Sequence, residues 1–289
     1  MTTGGGTPLV DLHAHTSASD GGDDPRALVE AAAAAGVEVL AVTDHDTVAA
    51  VAEARVAGRR LGVEVLAGCE LTALVGGRVV HVLLYGEGLL APELGEAVET
   101  ARRGRHARNL AIGERLRELT GVGYEEAVAI AGGSALSRAH FARALVARRV
   151  VADVAQAFDR YLSSGRPAYV PAPGVSVTDA VALARKAGGV AVLAHPGRLG
   201  DDERERVLAE ALEAGIDGVE VWHSQHDAEL RRSLTGLVGR RGLLATGGSD
   251  YHGRHKPSVR IGTGVDGNVA VPGELLDALR DRLAARAPL

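Results

Sequence analysis

Two histidines separated by one residue follow a short apolar run near the N-terminus. The run Pro8–Val10 predicts a buried strand, and His13 and His15 come at its end. Because alternate side chains of a strand point to the same face, both imidazoles project from the strand's tip, where α/β folds carry their chemistry. Asp20 follows on a loop of small residues that can fold back toward them. Imidazole and carboxylate groups are ligands of zinc, manganese and iron, so this stretch predicts one wall of a metal site.

Residues of the same types recur at the ends of later predicted strands, or in one case within or near the end of a strand. These residues are His45, Glu70, His81, His195, His223, Asp250 and His252. The ends of parallel strands converge on one face of a sheet or barrel, so positions far apart in sequence can meet in one pocket. Many of the 11 histidines thus lie at the ends of predicted strands. This placement favours a shared metal site over the alternative that each histidine is a separate surface or core residue.

The elements that must position these residues alternate between strand and helix, which predicts an α/β fold built from βαβ units. The alternation stops after residue 90, where only helical patterns occur, over Glu93–Leu119, Tyr124–Ala131, Ser137–Ala147 and Val151–Leu162, and it resumes with the helix Ser176–Ala187. The C-terminal helix is predicted over Gly273–Ala287. We therefore expect residues 1–90 and 168–289 to form a discontinuous metal-binding domain. Residues 91–167 are expected to form an inserted helical cap, with Arg102, Arg103, Arg105 and Arg108 on a solvated face.

Composition describes an ordinary globular protein of 289 residues, with a net charge of −5 and 46% hydrophobic residues. No basic run supports an extended nucleic-acid groove. Cys69 is the only cysteine, so no intramolecular disulfide can form. The N-terminus lacks the pattern of a signal peptide, and no apolar run approaches the ~20 residues needed to cross a bilayer. These features predict a cytoplasmic protein without a membrane partner, and they leave its oligomeric state open.

Several motifs together resemble the PHP (polymerase and histidinol phosphatase) family. They are Asp11-Leu-His13-Ala-His15-Thr16, Ser19-Asp20-Gly21, Thr43-Asp44-His45-Asp46, Gly68-Cys69-Glu70, His81, Ala194-His195-Pro196 and Gly248-Ser249-Asp250-Tyr251-His252. The likeness is greatest to the stand-alone branch of nucleoside 3′,5′-bisphosphate phosphatases, 5′–3′ exoribonucleases and AMP phosphatases. That branch carries a helical insertion with a Gly-Arg-Pro-His-x-Ala-Arg signature. Here Ser137–Arg143 lacks the leading glycine and the proline, whereas Phe158–Val170 matches.

The resemblance implies a distorted (β/α)7 barrel with three divalent metal ions. It implies that His13, His15, Glu70 and Asp250 surround one metal, that Asp20, His45 and His252 hold a second, and that Glu70, His81 and His195 hold a third. Glu70 would bridge. Mixed imidazole and carboxylate ligands suit Mn²⁺, Fe²⁺ or Zn²⁺ and offer too few oxygens for calcium. These residue types leave the choice among the three metals open.

The resemblance also implies hydrolysis of phosphoric esters. Metal ions lower the pKa of bound water, so a hydroxide bridging two metals is the expected nucleophile. All the implied metal ligands except His81 are also expected to be catalytic residues. Cys69 is then expected to pack rather than attack. Arg138, Arg143 and Arg166 are candidates for binding phosphate, with a surface salt bridge as the alternative for each. His140 and His223 are candidates for hydrogen bonds to the ester or leaving oxygen.

The expected substrate is a small phosphomonoester on a nucleotide. It could be a 3′,5′-bisphosphonucleoside, an AMP-like ester or a short 5′-phosphorylated oligonucleotide. Among the aromatic residues, only Phe141 and Tyr251 are placed to stack on a base. Changes at Ser137 and Ala139 keep histidinol phosphate or a sugar phosphate open as substrates. An amidohydrolase-type barrel acting on C–N or C–O bonds and a non-catalytic metal-binding module are the remaining alternatives.

Overall fold

The computed structural model describes residues 8–76, 78–132, 136–171 and 175–286. Two compact units divide the chain. One combines the segment ending at Val98 with the segment starting at Val175, and the other runs from Glu99 to Gly174. Among the described helices, none has the length and apolar character that crossing a bilayer requires.

An eight-stranded sheet forms the centre of the first unit. Its strands are β1 (Leu9–Ala14), β2 (Val37–Val42), β3 (Glu64–Val75), β4 (Arg78–Tyr85), β5 (Val175–Ser176), β6 (Val190–Leu193), β7 (Gly218–Trp222) and β8 (Leu244–Gly247). The order is β1-β2-β3-β4-β6-β7-β8, and the short β5 pairs with β3. The two ends of this path meet, because the Asp250 N–H donates to His13 O and the His15 N–H donates to Tyr251 O, each over 2.9 Å. Seven strands thus form a distorted α/β barrel, which confirms the predicted fold class.

The closure of the barrel depends on Gly248. A Cβ atom at this position would lie 2.4 Å from both the backbone nitrogen and the Cβ of His13, so only glycine permits the approach. The neighbouring carboxylate of Asp11 is fully buried. It accepts hydrogen bonds from the backbone N–H (2.9 Å) and hydroxyl (2.6 Å) of Ser249 and from the Gly262 N–H (2.7 Å). This buried carboxylate joins the first strand to the segment that follows the last.

One strand runs against the expected parallel direction. β4 is antiparallel to both β3 and β6, whereas the other neighbouring strand pairs are parallel. Only Gly76 and Gly77 separate β3 from β4, and so short a connection makes a hairpin, because a parallel pair needs a long crossover. The reversal brings the start of β4 beside the end of β3, and His81 pairs with Thr72. His81 therefore lies within an antiparallel strand, and not at the end of a parallel one.

Among the described residues, ten α-helices surround the sheet or belong to the second unit. They are α1 (Pro25–Ala34), α2 (Val51–Leu61), α3 (Pro92–Thr120), α4 (Tyr124–Ala131), α5 (Arg138–Ala147), α6 (Val154–Ala157), α7 (Val177–Lys186), α8 (Asp201–Glu213), α9 (Ala228–Arg241) and α10 (Gly273–Ala284). α1 starts as its sequence predicts, since the Asp24 side chain accepts the Ala27 N–H and Pro25 occupies the first turn. Leu28 of α1 and Val51 of α2 pack on Leu40 of β2. The predicted end of α10 at residue 287 lies outside the described residues.

The second unit has its own apolar core, which includes Ile112, Leu116, Phe141 and Leu145. Phe141 is completely buried there, so the prediction that it stacks on a base is wrong. The helix predicted from residue 151 begins only at Val154, because Asp153 caps it by accepting the Gln156 N–H, and it continues as a π-helical turn over Phe158–Leu162. The predicted domain boundaries and the cap role of the insertion stay predictions.

Candidate metal centre

Glu70 lies at the middle of a buried cluster of imidazoles. Its Oε2 atom lies 3.3 Å from His13 Nε2, 3.1 Å from His15 Nε2 and 3.2 Å from His45 Nδ1. The residue sits inside β3 rather than after it, because β3 continues to Val75. One carboxylate oxygen thus faces three histidines, of which His13 and His15 lie at the end of β1 and His45 follows β2.

The other oxygen of Glu70 faces a second pair of histidines. Oε1 lies 2.9 Å from His81 Nδ1 and 2.8 Å from His195 Nε2. His195 has a φ of +28°, a backbone conformation that costs energy for a residue with a side chain and that clusters at functional sites. The antiparallel β4 is what delivers His81 to this side of Glu70.

Two further carboxylates complete the cluster. Asp20 Oδ1 lies 3.2 Å from His252 Nε2 and 3.5 Å from His15 Nδ1, and its Oδ2 lies 3.6 Å from His45 Nε2. Asp250 Oδ1 lies 3.4 Å from His15 Nε2. The backbone of Asp250 is also in the left-handed region, with a φ of +58°. The structure therefore brings together all nine side chains that the sequence analysis assigned to metal ions.

Several of these imidazole nitrogens are buried without a hydrogen-bond partner. They are His13 Nε2, both ring nitrogens of His15, and His45 Nδ1. A buried polar atom without a partner is costly, and a metal ion bound to these lone pairs would remove the cost. The donor set therefore fits the transition-metal ions that the resemblance implies.

Donor atoms within 4.8 Å of one another form three overlapping groups. The groups are His15, Asp20, His45 and His252; His13, His15 and Glu70; and His45, Glu70 and His81. His15 and His45 each belong to two groups, so the arrangement is more interlinked than the set implied by the resemblance. The number of metal ions and the ligands of each stay predictions.

Electrostatics at the cluster favour ionised carboxylates and positive charge between them. Burial alone would raise the pKa of Glu70, but the imidazoles of His45, His81 and His13 hold this pKa well below its usual range. Burial opposes protonation of His15, yet the Asp250 and Glu70 carboxylates raise the pKa of His15 to about 9. Burial lowers the pKa of His195 to about 3. A metal ion would compete with protons for the lone pairs at this negative centre.

Sequence reasoning missed Glu220, a fully buried carboxylate in β7. Its Oε1 lies 2.9 Å from His13 Nδ1, and its Oε2 accepts the His195 N–H over 2.7 Å. With its Nδ1 proton donated to Glu220, His13 presents the Nε2 lone pair to the cluster, as carboxylate–histidine–metal arrangements require. The signal was present, because a glutamate between Val219 and Val221 places a charge among buried apolar residues.

Asp44 supports the loop that carries Asp20, and it too was missed. Its carboxylate accepts the Thr16 N–H (2.8 Å), the Thr16 hydroxyl (2.7 Å) and the Ser19 hydroxyl (2.5 Å). These hydrogen bonds attach the segment between His15 and Asp20 to the end of β2. In the sequence, Asp44 stands in the Thr43–Asp46 motif, where its residue type alone does not show this supporting role.

Among the predicted substrate-binding residues, His223 belongs to the same unit as this cluster and lies at it. His223 is 1% exposed, and its Nε2 lies 3.4 Å from Asp250 Oδ2. Arg138, His140, Arg143 and Arg166 belong to the second unit.

Within that unit their side chains have different environments. Arg166 forms a 2.7 Å ion pair with Asp159, which is the surface salt bridge named as its alternative. His140 Nδ1 accepts the Ser137 N–H at the start of α5 (3.0 Å), and Arg143 is exposed.

Arg138 and Arg108 form a partly buried positive pair. Arg138 lies over the rings of Phe158 and Tyr169. Burial and the nearby Arg138 lower the pKa of Arg108 to about 10, and Arg108 Nε donates to Val170 O. The prediction of a solvated face is therefore wrong for Arg108, because this face packs against the end of the insertion.

Comparison with known proteins agrees with this geometry. The family model for the PHP domain matches residues 11–164. A 3′,5′-nucleoside bisphosphate phosphatase of Chromobacterium violaceum is 36% identical over 84% of this chain and 87% of its own length. A 5′-3′ exoribonuclease of Haemophilus influenzae is 34% identical over 85% of this chain and 90% of its own. A phosphoribosyl 1,2-cyclic phosphate 1,2-diphosphodiesterase of Eggerthella lenta is 36% identical over 85% and 95%.

Solved structures show the same likeness. A protein of Bifidobacterium adolescentis, described as a proposed metal-dependent phosphoesterase, superposes with a TM-score of 0.77 at 33% identity and covers 94% of this chain and 96% of its own. A Chromobacterium violaceum protein described as an amidohydrolase, with bound sulfate and no metal, superposes with a TM-score of 0.79 at 32% identity, covering 95% and 96%.

Fold and site together define a metal-dependent phosphoesterase architecture. The chain belongs to the PHP domain family. The resemblance found in its sequence motifs is confirmed.

Proposed function

We propose that this protein hydrolyses a small phosphomonoester of a nucleotide at the Glu70 cluster. The observation that carries the proposal is the set of buried, unbonded imidazole nitrogens around Glu70, which matches a site for divalent transition-metal ions. The phosphatase and exoribonuclease relatives, both similar over more than four fifths of the chain, support the choice of phosphoric esters.

The chemistry divides between bound ions and side chains. When bound, divalent metal ions would supply an activated water for attack on phosphorus and would neutralise phosphoryl oxygens. The histidines and carboxylates hold these ions, and Glu220 orients His13. His223 Nδ1 accepts the Gln225 N–H (3.1 Å), so its neutral ring carries the proton at Nε2, on the side of Asp250. That N–H faces Asp250 Oδ2 at 3.4 Å, and we propose that it hydrogen-bonds the ester or leaving oxygen once substrate is bound.

In the second unit, the partly buried arginines support a role in binding phosphate. Arg138 lies close enough to Arg108 to disfavour its charge, and an anion bound between them would relieve this repulsion. We propose that Arg138, His140 and Arg143 bind the phosphate or nucleotide part of the substrate. We propose that Arg166 contributes less to substrate binding, because it is already paired with Asp159.

The substrate class follows from the relatives and from what the chain lacks. The described part has few exposed aromatic rings, Phe141 is buried, and the Tyr251 hydroxyl donates to Asp23 over 2.9 Å. A platform for stacking a long single strand, as in many nucleic-acid-binding folds, is not evident among these residues. We therefore propose a mononucleotide, such as a 3′,5′-bisphosphonucleoside, or a short 5′-phosphorylated oligonucleotide.

A screen for hydrolysis products, with released phosphate measured for the monoesters and chromatography for the cyclic diester and the amides, tests this proposal. Purified protein supplied with Mn²⁺ is offered bisphosphonucleosides, AMP, 5′-phosphorylated oligonucleotides, a cyclic phosphodiester, histidinol phosphate, sugar phosphates and amide substrates. We expect release from a 3′,5′-bisphosphonucleoside to exceed that from sugar phosphates at least tenfold. Preference for histidinol phosphate or for the cyclic diester, or turnover of C–N substrates alone, would contradict it.

A further inference from the structure

Three donor groups surround the Asp250 oxygen that faces away from the histidine cluster. Lys256 Nζ lies 2.7 Å from Asp250 Oδ2, His223 Nε2 lies 3.4 Å away and a terminal nitrogen of Arg198 lies 3.9 Å away. These residues follow strands β8, β7 and β6 respectively. Asp250 thus separates two environments, with the imidazoles of the Glu70 cluster on its Oδ1 side and two cations together with His223 on its Oδ2 side.

Arg198 is held in position by contacts on its backbone and side chain. Its Nε donates to Gln225 Oε1 over 3.0 Å, and its backbone N–H donates to His195 O over 3.0 Å. This leaves both terminal nitrogens of the guanidinium at the cluster, one of them 3.5 Å from His195 Nε2. Such preorganisation is typical of side chains that bind a ligand rather than of mobile surface arginines.

His226 holds the turn that carries Arg198. Its Nδ1 donates to Val221 O (2.9 Å), and its Nε2 accepts the Gly197 N–H (3.1 Å), so one neutral tautomer satisfies both hydrogen bonds. A Cβ at Gly197 would lie 2.4 Å from the His226 ring, so glycine permits this contact. The turn from His195 to Arg198 is therefore attached to the end of β7.

Both cations keep donors and access for a ligand. The side chains of Arg198 and Lys256 are 37% and 30% exposed. An ammonium group has three donors, of which Asp250 takes one, and a guanidinium has five, of which Gln225 takes one and His195 Nε2 lies near a second. The single negative charge of Asp250 is already shared with the histidine cluster, where metal ions would add further positive charge. Two cations beside such a cluster favour an anionic ligand.

We propose that Arg198 and Lys256 form a phosphoryl-binding site beside the metal cluster that selects dianionic phosphomonoesters over monoanionic phosphodiesters. The inference rests on the proposed function and deepens it. A monoester dianion presents three terminal oxygens and about two negative charges, which match the guanidinium fork and the ammonium group. A diester presents two such oxygens and one charge, so it gains less from the pair.

The first test measures anion binding without turnover. Inorganic phosphate is titrated calorimetrically at pH 8 into the Mn²⁺-loaded protein and into the variants Arg198→Ala and Lys256→Ala. Each variant is expected to weaken phosphate binding about tenfold or more, since hydrogen bonds to charged groups contribute this much. Elemental analysis should show unchanged metal content. Arg26→Ala and Lys186→Ala, at exposed positions of α1 and α7, are the matched controls.

The second test addresses selectivity with methyl phosphate and dimethyl phosphate as probes. The unmodified protein should bind methyl phosphate more tightly, and Arg198→Ala should reduce the ratio of the two affinities at least threefold. Arg198→Lys, which keeps the charge without the fork, should lie between them.

Each outcome decides the proposal. Unchanged phosphate affinity, an unchanged ratio of the two probe affinities, or loss of metal in either variant would overturn it, the last by showing that these cations only stabilise Asp250. If phosphate binding depends on Arg198 and Lys256 but no nucleotide is hydrolysed, this inference stands and the proposed function fails.

Discussion

The barrel rim and the helical insertion hold their candidate functional residues in different ways. At the rim, Glu70 and Glu220 are nearly or fully buried, and each contacts residues from at least two other strands. In the insertion, the Arg166–Asp159 pair is exposed, and Arg143 stands on the surface of α5. Rim residues therefore form one interlinked group, whereas the exposed insertion residues Arg143 and Arg166 lie outside any such group. Substitutions at the rim should therefore affect metal binding and catalysis together, and substitutions in the insertion should affect substrate binding alone.

The largest effect is expected at Glu70. Glu70→Ala removes both oxygens that face five imidazoles, so it should lower kcat by ~10³-fold or more, the scale expected for loss of one preorganised electrostatic group. The purified unmodified protein should carry two to three equivalents of metal, and the variant fewer. Elemental analysis, activity and circular dichroism provide the readouts. Glu64→Gln, at an exposed start of β3, is the control. A fully active preparation with at most one metal equivalent would refute the three-metal arrangement.

A smaller effect is expected at Glu220, which contacts the metal-ligand residue His13 but is not itself a predicted ligand. Glu220→Gln keeps the shape of the side chain but replaces one carboxylate oxygen with an amide, so it cannot serve both His13 Nδ1 and the His195 N–H as acceptor. We expect metal affinity to fall ~10–100-fold, as for other carboxylates that orient metal-bound histidines. Competition with a fluorescent chelator measures it. Glu213→Gln, exposed at the end of α8, should leave the affinity unchanged. Equal metal affinities for the two variants would mean that the Glu220 carboxylate does not orient His13 for metal binding.

The insertion should behave differently. Arg143→Ala is expected to raise KM for a phosphorylated substrate ~10-fold, the scale of one hydrogen bond to a charged group, while kcat and metal content stay close to those of the unmodified protein. Arg166→Ala should change KM less, because an exposed ion pair such as that with Asp159 has little energetic weight. Steady-state kinetics separates the two. Metal loss in Arg143→Ala, or kinetics identical to the unmodified protein, would remove the distinction between rim and insertion.

The smallest effect is expected at Cys69, which lies at the rim and which we expect to pack beside Glu70 rather than to attack the substrate. Its side chain is fully buried, and this burial raises the pKa of the thiol to about 12, so the thiolate is scarce below that pH. Folded protein should therefore leave a thiol reagent unreacted at pH 8 and keep its activity, whereas denatured protein should react fully. Rapid reaction of the folded protein with loss of activity would show an accessible thiol at the site.

Local sequence patterns determined most of the secondary structure. α4 has the bounds that its sequence predicts, because the spacing of apolar residues and the capping residues act over a few positions. The nine candidate ligands were also recognisable from residue type and from their place at strand ends or, for His81, within a strand.

Longer-range features required the tertiary structure. The direction of β4 follows from a two-glycine connection that could have been interpreted as a hairpin. The pairing of Glu220 with His13 could not have been predicted from the sequence. These residues are 207 positions apart and meet only when β7 and β1 share one barrel.

The sequence by itself therefore determined which residue types are available and on which local elements they lie. Tertiary structure alone decided that Glu70 divides its two oxygens between two sets of histidines, and that Asp250 faces imidazoles with one oxygen and Lys256 with the other. The physical reason is that periodicity and capping report on neighbours along the chain. A metal centre and its supporting carboxylates depend instead on distances between strand ends, which closure of the barrel sets.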